Sequence, residues 1–481
     1  MSRRGLVIVV GTIVALLLAA PFAIGMITEN GLRQQLEIYD QNPTVVTRVE
    51  NYERSWFSSQ ARLNIRLGED YLALMEAQLP ARGADPAAEM IRNFSVPVIV
   101  DISHGPLILK DGLALGTSQI KAYVDPEWES AQLVQQLLGV PYLFEFRGRG
   151  GFGTGFRFEG EIPPFDNAFD DISYEFSGLD FSGVIHDRDT AFEAQIESAS
   201  LQSPAQSLLL EQAAFDGDYD YREGMVTLSN GAVSIGSLAA SNPLLGAAPI
   251  FSLEELSGEF TISDSDDTTH VDTQIIYRIA NLAAFDAFSI SDAALGITLQ
   301  HIDATAVLDL QNLISALPPG ADEEQMLAIM MPIFDRIVAG NPTVSFDPVQ
   351  FSMPEGSLTA AANFSIDPAA LPSGQIADLM NPLFAMLAVN ADLDLSVSKA
   401  LVQALGPLVV GPQPGTQTGP DGEPMPPEQI AAMADAQLGL MLTALAAQGL
   451  IVDDGETYST SIQFANGAAT ANGQPIPLGG F

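Results

Sequence analysis

The stretch YLFEFRGRGGFGTGFRFEGE, residues 142–161, carries the pattern from which the fold class can be read. On both sides of its central glycines, apolar and polar residues alternate, over residues 143–147 and again over 155–161. A period of two residues is typical of a strand that places one face in a core, and the glycines indicate a β-turn or a bulge. The stretch therefore predicts two strands of an antiparallel sheet.

The same alternation extends outward from this stretch in both directions. Up to about residue 275, short alternating segments are separated by Gly, Asp, Asn and Ser, as in antiparallel meanders. Asn466-Gly467 and Asn472-Gly473 each predict a tight hairpin near the C-terminus. The further predicted strands cover residues 61–67, 96–101, 119–124, 172–176, 191–196, 219–228, 258–262, 271–277, 343–346, 356–366, 391–397, 458–464 and 468–471.

Helical spacing of apolar residues appears between the strand segments. Gly340 is a favourable helix end, whereas the prolines between residues 406 and 427 predict an exposed loop. Helices are predicted over residues 30–40, 69–79, 85–94, 125–138, 304–317, 322–338, 374–387, 398–405 and 427–448. The predicted class is α+β: one N-terminal transmembrane helix, then a large β-rich body of long antiparallel sheet with covering helices, and a sub-boundary near 280–305.

Residues 5–27 read GLVIVVGTIVALLLAAPFAIGMI and contain no charged residue. As a helix they would extend about 35 Å, enough to cross roughly 30 Å of hydrocarbon. Arg3 and Arg4 precede them, so the positive-inside rule predicts a cytoplasmic segment 1–4, a single-pass anchor 5–27 in the cell inner membrane, and a periplasmic region 28–481. A cleaved signal peptide is the alternative, although its apolar region would be shorter.

Composition restricts the classes of partner. The 481 residues include 60 acidic and 19 basic side chains, a net charge of −41, which repels phosphate and excludes nucleic acid as a partner. The acidity has two interpretations, adaptation to salt or attraction of a cationic partner. There is no cysteine, which excludes thiolate chemistry, Cys-ligated zinc, iron–sulfur clusters and disulfides.

The motifs that resemble functional sites are incomplete. Residues 148–153 match G-x-G-x-x-G, but a strand pattern follows where a dinucleotide site needs a helix. Residues 216–220 (DGDYD) resemble a calcium loop, yet Tyr221 and Thr227 occupy the positions that require Gly and Glu. Asp264, Asp266 and Asp267 indicate a turn, with incidental binding of a divalent cation as the alternative.

The histidines and the methionine-bearing helices leave alternatives open. His104, His186, His270 and His301 are far apart in sequence, so zinc has little support. His104 stands beside a Gly-Pro turn, where it either makes a stabilising hydrogen bond or has a functional role. The helices that carry apolar side chains either pack on the sheet or line a groove for a lipid. Their residues are Met326, Met330, Met331, Met433, Leu438, Met441 and Leu442.

Three blocks occur in a characteristic order: WFSSQ at residues 56–60, SHGP at 103–106 and TSIQFANGAATANGQPIPL at 460–478. With the apolar N-terminal segment, they make the chain resemble the YdgA-like family of proteobacterial envelope proteins, a domain of unknown function. The resemblance implies attachment to the inner membrane, a periplasmic body and self-association, and it supplies no catalytic residue. The acidity and the proline-rich insertion at 406–427 depart from the family.

The expected function is a non-enzymatic binding or scaffolding module of the cell envelope, with no catalytic, cofactor-binding or metal residues and no cofactor. The expected partners are the inner membrane, a second copy, and a lipid or an envelope protein. One alternative is lipid or lipoprotein handling through an apolar groove between sheet and helices. A second alternative is a hydrolase, which would need His104 close to a nucleophile and a carboxylate.

Overall fold

The computed structural model describes residues 45–68, 72, 95–105, 107–108, 114–151, 155–169, 171–221, 227–246, 248–265, 268–285, 288–316, 323–410 and 427–476. The chain divides into two compact units. Unit 1 comprises Met1–Tyr221 and Asn312–Ala321, and unit 2 comprises Arg222–Gln311 and Asp322–Phe481. Around the predicted sub-boundary, residues 280–284 and 288–303 lie in strands of unit 2, and residues 304–305 begin a helix.

Unit 1 is built on antiparallel strands. They are β1 (Val45–Arg54), β2 (Ser58–Leu67), β3 (Ser95–His104), β4 (Leu107–Ile108), β5 (Ala114–Leu115), β6 (Ser118–Val124), β7 (Glu145–Gly150), β8 (Gly155–Ile162), β9 (Phe165–Phe169), β10 (Ile172–Phe176), β11 (Leu179–His186), β12 (Asp189–Gln202) and β13 (Ser207–Asp220). Pairing follows the order β1-β2-β3-β6-β7-β8-β11-β12-β13. In addition, β10 pairs with β9 and β12, and β4 pairs with β5.

Unit 2 is also built on antiparallel strands. They are β14 (Leu228–Ser241), β15 (Pro249–Asp264), β16 (His270–Ala284), β17 (Phe288–Asp303), β18 (Thr343–Met353), β19 (Gly356–Ile366), β20 (Val389–Ser398), β21 (Val452–Asp453), β22 (Thr457–Ala465), β23 (Ala468–Ala471) and β24 (Gln474–Ile476). Pairing follows β14-β15-β16-β17-β18-β19-β20-β22-β23-β24, and β21 pairs with β22.

The helices have 7 to 21 residues, and local backbone and side-chain geometry explains where some of them begin or end. Gly139 adopts a left-handed conformation (φ 71°) after the last turn of the helix Glu129–Leu138. At the start of the helix Pro382–Ala388, the Asn381 side chain accepts a hydrogen bond from the Leu383 N–H at 3.0 Å. They are α1 (Glu129–Leu138), α2 (Ala304–Ala316), α3 (Glu323–Ala339), α4 (Pro382–Ala388), α5 (Lys399–Val410) and α6 (Pro427–Ala447), with 3₁₀ turns at Pro368–Ala370 and Ile376–Met380.

The predicted α+β class with a transmembrane helix is wrong, although the β-rich character is confirmed. The structure is mostly antiparallel sheet, with 61% strand and 20% helix. Within the described ranges, no helix combines the length and apolar character needed to cross a membrane. The predicted anchor 5–27 and the predicted helices 30–40, 69–79 (except residue 72) and 85–94 lie outside those ranges. Strand content was underestimated because Gly, Ser and Asn positions inside long strands resemble breaks.

Several other predictions can be compared with the observed elements. α2, α3, α5 and α6 occupy the predicted helical segments, and α5 continues through Pro407 to Val410, inside the segment predicted to be a loop. Residues 411–426 lie outside the described ranges. The predicted strand 219–228 is not continuous, because β13 ends at Asp220 and β14 begins at Leu228.

The predicted hairpin at Asn466-Gly467 is confirmed. Ala465 pairs with Ala468, and the two turn residues have φ values of 51° and 72°. Two consecutive positive φ angles are the signature of a type I′ turn, which Asn-Gly adopts at low cost. Asn472-Gly473 forms the next hairpin in the same way, with φ values of 51° and 77°.

The buried cores of the two units differ in position. In unit 1, the main core cluster lies on β2 and β3 and consists of Ala61, Leu63, Val98, Val100 and Ile102. In unit 2, buried residues cluster around the ends of strands and the helices next to them. These clusters are Val271, Ile302 and Ala304, and Val338, Leu371 and Ala388. The middle of the unit 2 sheet therefore contributes little to a closed core.

Candidate functional site

One face of the unit 2 sheet is apolar from strand to strand. Three rows of directly paired residues define this apolar face. The first row is Gly231, Phe260, Ile275, Ile297, Phe346, Ala362, Leu393, Ile462 and Ala471; the second is Val233, Gly258, Tyr277, Leu295, Val349, Ala360, Leu395 and Thr460; the third is Ile262, Thr273, Leu299, Val344, Phe364, Ala391, Phe464 and Ala469. At roughly 4.8 Å between strands, the first row extends about 38 Å.

Among the described residues, helices reach only one side of the apolar face: Ile262 and Leu299 of the third row pack around the same buried cluster as Val307 of α2 and Ile337 of α3. No Val, Leu, Ile, Phe or Tyr side chain in the first two rows is buried. Tyr277 is 46% exposed, Leu295 39% and Phe364 42%. Neighbours in the same sheet shield only the sides of a side chain, so half-burial of a whole row means that its top remains accessible. Contiguous exposed apolar surface of this kind marks a binding site or an interface.

The opposite face of the same strands is polar. Glu259, Arg278, Gln350, Asn363 and Asp394 are all exposed there. Arg278 Nη1 donates to Glu259 Oε1 at 3.0 Å across β15 and β16. The two faces thus differ as sharply as those of a sheet that packs on a core, although no large side chain in the first two rows of the apolar face is buried.

In unit 1, phenylalanine and glycine alternate both along the strands and across them. The paired rows are Gly148, Phe158, Gly183, Phe192, Gly217 and Phe146, Gly160, Phe181, Ala194, Phe215. Ring centroids of neighbouring phenylalanines lie about 6 Å apart, for example 5.8 Å for Phe146 and Phe158. A Cβ added to Gly160 would lie 2.1 Å from Phe181 Cζ. The glycines therefore provide room for rings from the adjacent strand.

This packing explains the glycines of the stretch at residues 142–161. Gly148 and Gly150 lie in β7, and Gly155 and Gly160 lie in β8. The segment after the motif is a strand, as predicted, so no helix N-terminus is available to bind a pyrophosphate. Sequence reasoning recognised the strand pattern but missed the packing of rings over glycines, because that packing depends on cross-strand register.

The polar face of unit 1 carries a network of charged side chains. Glu145 forms ion pairs with Lys121, at 2.7 Å, and with Arg147. Burial acts to raise the pKa of Glu145, but the hydrogen bonds and charges of Lys121 and Arg147 outweigh it and lower the pKa below its ordinary value. Nearby, the hydrogen bond that Tyr142 donates to Glu161 raises the pKa of Tyr142 to about 12.

Two adjoining depressions lie on this polar face, with volumes of about 540 and 1000 Å³. Both are lined by Arg147 together with the carboxylates of Glu159, Glu193 and Asp216. The mixture of charges matches no single ligand class. Among the described residues, no group of three or more His, Asp or Glu side chains is arranged to hold a metal ion.

The first two sequence blocks meet in the core of unit 1. Ser59 Oγ lies 3.1 Å from His104 Nε2, and the two residues are 5% and 1% exposed. The His104 N–H donates to the Phe57 carbonyl at 3.0 Å. A hydroxyl beside an imidazole is the pair used in nucleophilic catalysis, but a nucleophile has to reach its substrate. At this depth the pair joins β2 to β3 instead.

Among the remaining residues singled out in the sequence, those that the structure describes do not converge on a site, and Asp266 and Asp267 lie outside the described ranges. Asp216 and Asp218 are exposed on β13, and His186 lies 3.7 Å from Asp187 at the tip of a hairpin. In unit 2, the backbone N–H of His301 donates to the side-chain carboxylate of Asp272. In α6, Leu438 is buried against Gly406 of α5, whereas Met433 and Met441 stay exposed.

Fold and surfaces together define a β-sheet protein with an amphipathic sheet whose apolar face is open. The chain belongs to the family described as "Bacterial protein of unknown function (DUF945)", whose model matches residues 3–479. The predicted membership of a domain of unknown function is thereby confirmed. No curated protein and no solved structure matches the chain. Functional inference therefore rests on the surfaces described above.

Proposed function

We propose that this protein is a non-enzymatic binding protein and that the apolar face of unit 2 holds the acyl chains of a lipid. The observation that carries the proposal is that every large side chain in its two central rows is at least partly exposed. An acyl chain needs apolar contact and no hydrogen bonds, and the polar groups of these rows are limited to the hydroxyls of Thr460 and Tyr277. Covering such side chains releases about 25 cal/mol per Å² of apolar area.

The length of the face also fits a lipid. The first row extends about 38 Å at the usual strand spacing, which exceeds the length of a single acyl chain, itself about half of a 30 Å hydrocarbon core. The polar back of the sheet keeps the unit soluble on its other side. No catalytic step is required, and the buried Ser59–His104 pair offers none to a substrate in solvent.

Lipid retention by matched variants tests this proposal. Tyr277 and Gln274 are both exposed on β16, but Tyr277 lies on the apolar face and Gln274 on the polar face. Tyr277→Glu and Gln274→Glu add the same charge to opposite faces. We expect full-length protein released from detergent micelles in native mass spectrometry to carry lipid in the wild type and in Gln274→Glu, with a loss of at least about tenfold in Tyr277→Glu. Equal lipid content in both variants would reject the apolar face as the site.

We further propose that the protein acts on the periplasmic side of the inner membrane and is one of the YdgA-like envelope proteins. Support comes from the sequence: residues 5–27 are uncharged and follow Arg3 and Arg4, and the three blocks occur in the family order. A reporter enzyme that is active only in the periplasm, fused after Phe481, should be active. Fluorescence from a reporter that matures only in the cytoplasm would contradict this location.

A further inference from the structure

Four large apolar side chains protrude from two adjacent hairpin tips of unit 2. Leu244 and Leu245 lie between β14 and β15 and are 75% and 78% exposed. Phe285, which follows β16, is 75% exposed, and Phe288, the first residue of β17, is 43% exposed. The Phe285 N–H donates to the Ile250 carbonyl at 2.9 Å, so the two tips are joined by a backbone hydrogen bond. These four residues are called the tip cluster.

The turn that holds Leu244 and Leu245 is closed by local hydrogen bonds. The Leu244 N–H donates to the Asn242 side chain, and the Leu245 N–H donates to the Asn242 carbonyl, both at 2.9 Å. Phe285 adopts a positive φ of 56°, an unfavourable conformation for a bulky residue. The chain thus maintains a local strain at a position where the ring faces solvent, and such strain points to a functional requirement.

The neighbourhood of the tip cluster is unusually free of charge. Residues 224–253 contain no charged side chain, in a chain with 16% charged residues. The first carboxylate along β15 is Glu254, five residues beyond Pro249, or about 17 Å at 3.3 Å per residue. In the second tip, Asp286 is the one charged residue between Arg278 and Asp292 in the sequence. The first tip can therefore enter hydrocarbon without burying a charge, and Asp286 is the one charged residue that the second tip brings to the bilayer.

The strands next to the tip cluster begin with apolar side chains. Two paired rows, the first of which includes Phe288 of the tip cluster, carry no charged side chain. The rows are Ala240, Phe251, Ala284, Phe288 and Leu238, Leu253, Leu282, Ile290. A lipid that leaves a bilayer at the tips would therefore first meet apolar side chains, and it would pass the row of Ser237, Glu254 and Asn281 before it reaches the apolar face.

We propose that the tip cluster inserts into a lipid bilayer and marks the end of unit 2 at which lipid enters the apolar face. This inference rests on the proposed function. A bilayer fits better than a protein partner, because four residues on two turns fall far short of the roughly 20–30 residues that each side of a stable protein interface uses. Because the net charge is −41, insertion into zwitterionic vesicles is favoured over insertion into anionic ones.

The absence of cysteine allows a direct test on the full chain. An environment-sensitive fluorophore is attached to Leu245→Cys or to Phe285→Cys, with Leu440→Cys on α6, 74% exposed, as the matched control. With phosphatidylcholine vesicles we expect a blue shift at positions 245 and 285, and quenching by lipids that carry a nitroxide in the acyl chain. The control should show neither, whatever other segment attaches the protein to the vesicle.

Each other outcome overturns the inference. Equal quenching at all three sites would mean non-specific adsorption, and no quenching at 245 and 285 on vesicle-bound protein would mean that the tips stay in water. A blue shift that needs no lipid and rises with protein concentration would assign the tips to contact with a second copy.

A second variant separates this inference from the proposed function. Leu244→Asp/Leu245→Asp should lose at least about tenfold in the rate of lipid uptake from vesicles, yet retain lipid loaded from detergent. Loss of detergent-loaded lipid in this variant would also contradict the inference, because the tips would then belong to the holding site. If the wild type holds no lipid by either route, the proposed function fails as well.

Discussion

Strands β2 and β3 of unit 1 and strands β15 to β18 of unit 2 follow the same sequence rule with opposite results. In both regions apolar and polar residues alternate, and each sheet has one apolar face. On β2 and β3 that face is closed, with Ala61 0% and Ile102 1% exposed. In unit 2 the equivalent face is open, with Leu295 39% exposed. Alternation therefore determines which face is apolar, while the presence or absence of a covering layer determines whether that face is core or binding surface.

Truncation of one isoleucine in each region should give the largest difference in stability between the two regions. Ile102→Ala removes a fully buried side chain and should lower the free energy of unfolding by about 2–5 kcal/mol. Ile297→Ala removes a half-buried one and should cost about 1 kcal/mol in the lipid-free protein. Urea titrations followed by circular dichroism measure both. Equal losses would mean that the unit 2 face is a closed core after all.

Glycine substitutions provide the next largest effect. Gly160→Ala would place a Cβ 2.1 Å from the Phe181 ring, so the ring must shift, at a cost of about 1–3 kcal/mol. Gly439→Ala, on the exposed side of α6 with no atom within 4 Å of the new Cβ, should instead stabilise by about 0.5–1 kcal/mol. Thermal unfolding of the two variants checks the opposite signs. A stabilised Gly160→Ala variant would refute the role of the glycines as room for rings.

The smallest expected effect is a change in how the stability of the protein depends on pH. The pKa of Glu145 is lowered when the protein folds, so its carboxylate stabilises the folded state above the ordinary value of 4.5, and this contribution is lost as the pH falls through the lowered pKa. Glu145→Gln should therefore be less stable than the wild type at neutral pH, and the difference in Tm should narrow below pH 4.5. A difference that stays constant over this range would show that Lys121 and Arg147 do not stabilise the charged form.

Local sequence patterns located most elements. Alternation placed strands such as β2, β8 and β19, and helical spacing placed α3 and α6, because both periods reflect which side chains turn away from water. Asn466-Gly467 specified its hairpin through its own backbone preferences. The lengths of β14 to β17 were not predictable in this way, because Ser, Gly and Asn on the polar face of a long strand resemble the residues of a turn.

The candidate surfaces depend on information that local patterns lack. Phe158 over Gly183 requires the register between β8 and β11, and Ser59 beside His104 joins positions far apart in sequence. An open apolar face and a covered one have the same alternation, so the sequence alone could not distinguish them. The uncharged run 224–253 was a signal for the tip cluster that could have been found in the sequence.

Photo-crosslinking in living cells tests acyl-chain binding on the apolar face most directly. A benzophenone amino acid is introduced at Ile297 on the apolar face or at Thr298, the next residue of β17, which pairs with Gln274 of the polar face. After irradiation, mass spectrometry of the purified protein should find lipid adducts at position 297 and none at position 298. Protein adducts alone at position 297, or lipid adducts in equal amounts at both positions, would contradict the claim that this face holds lipid.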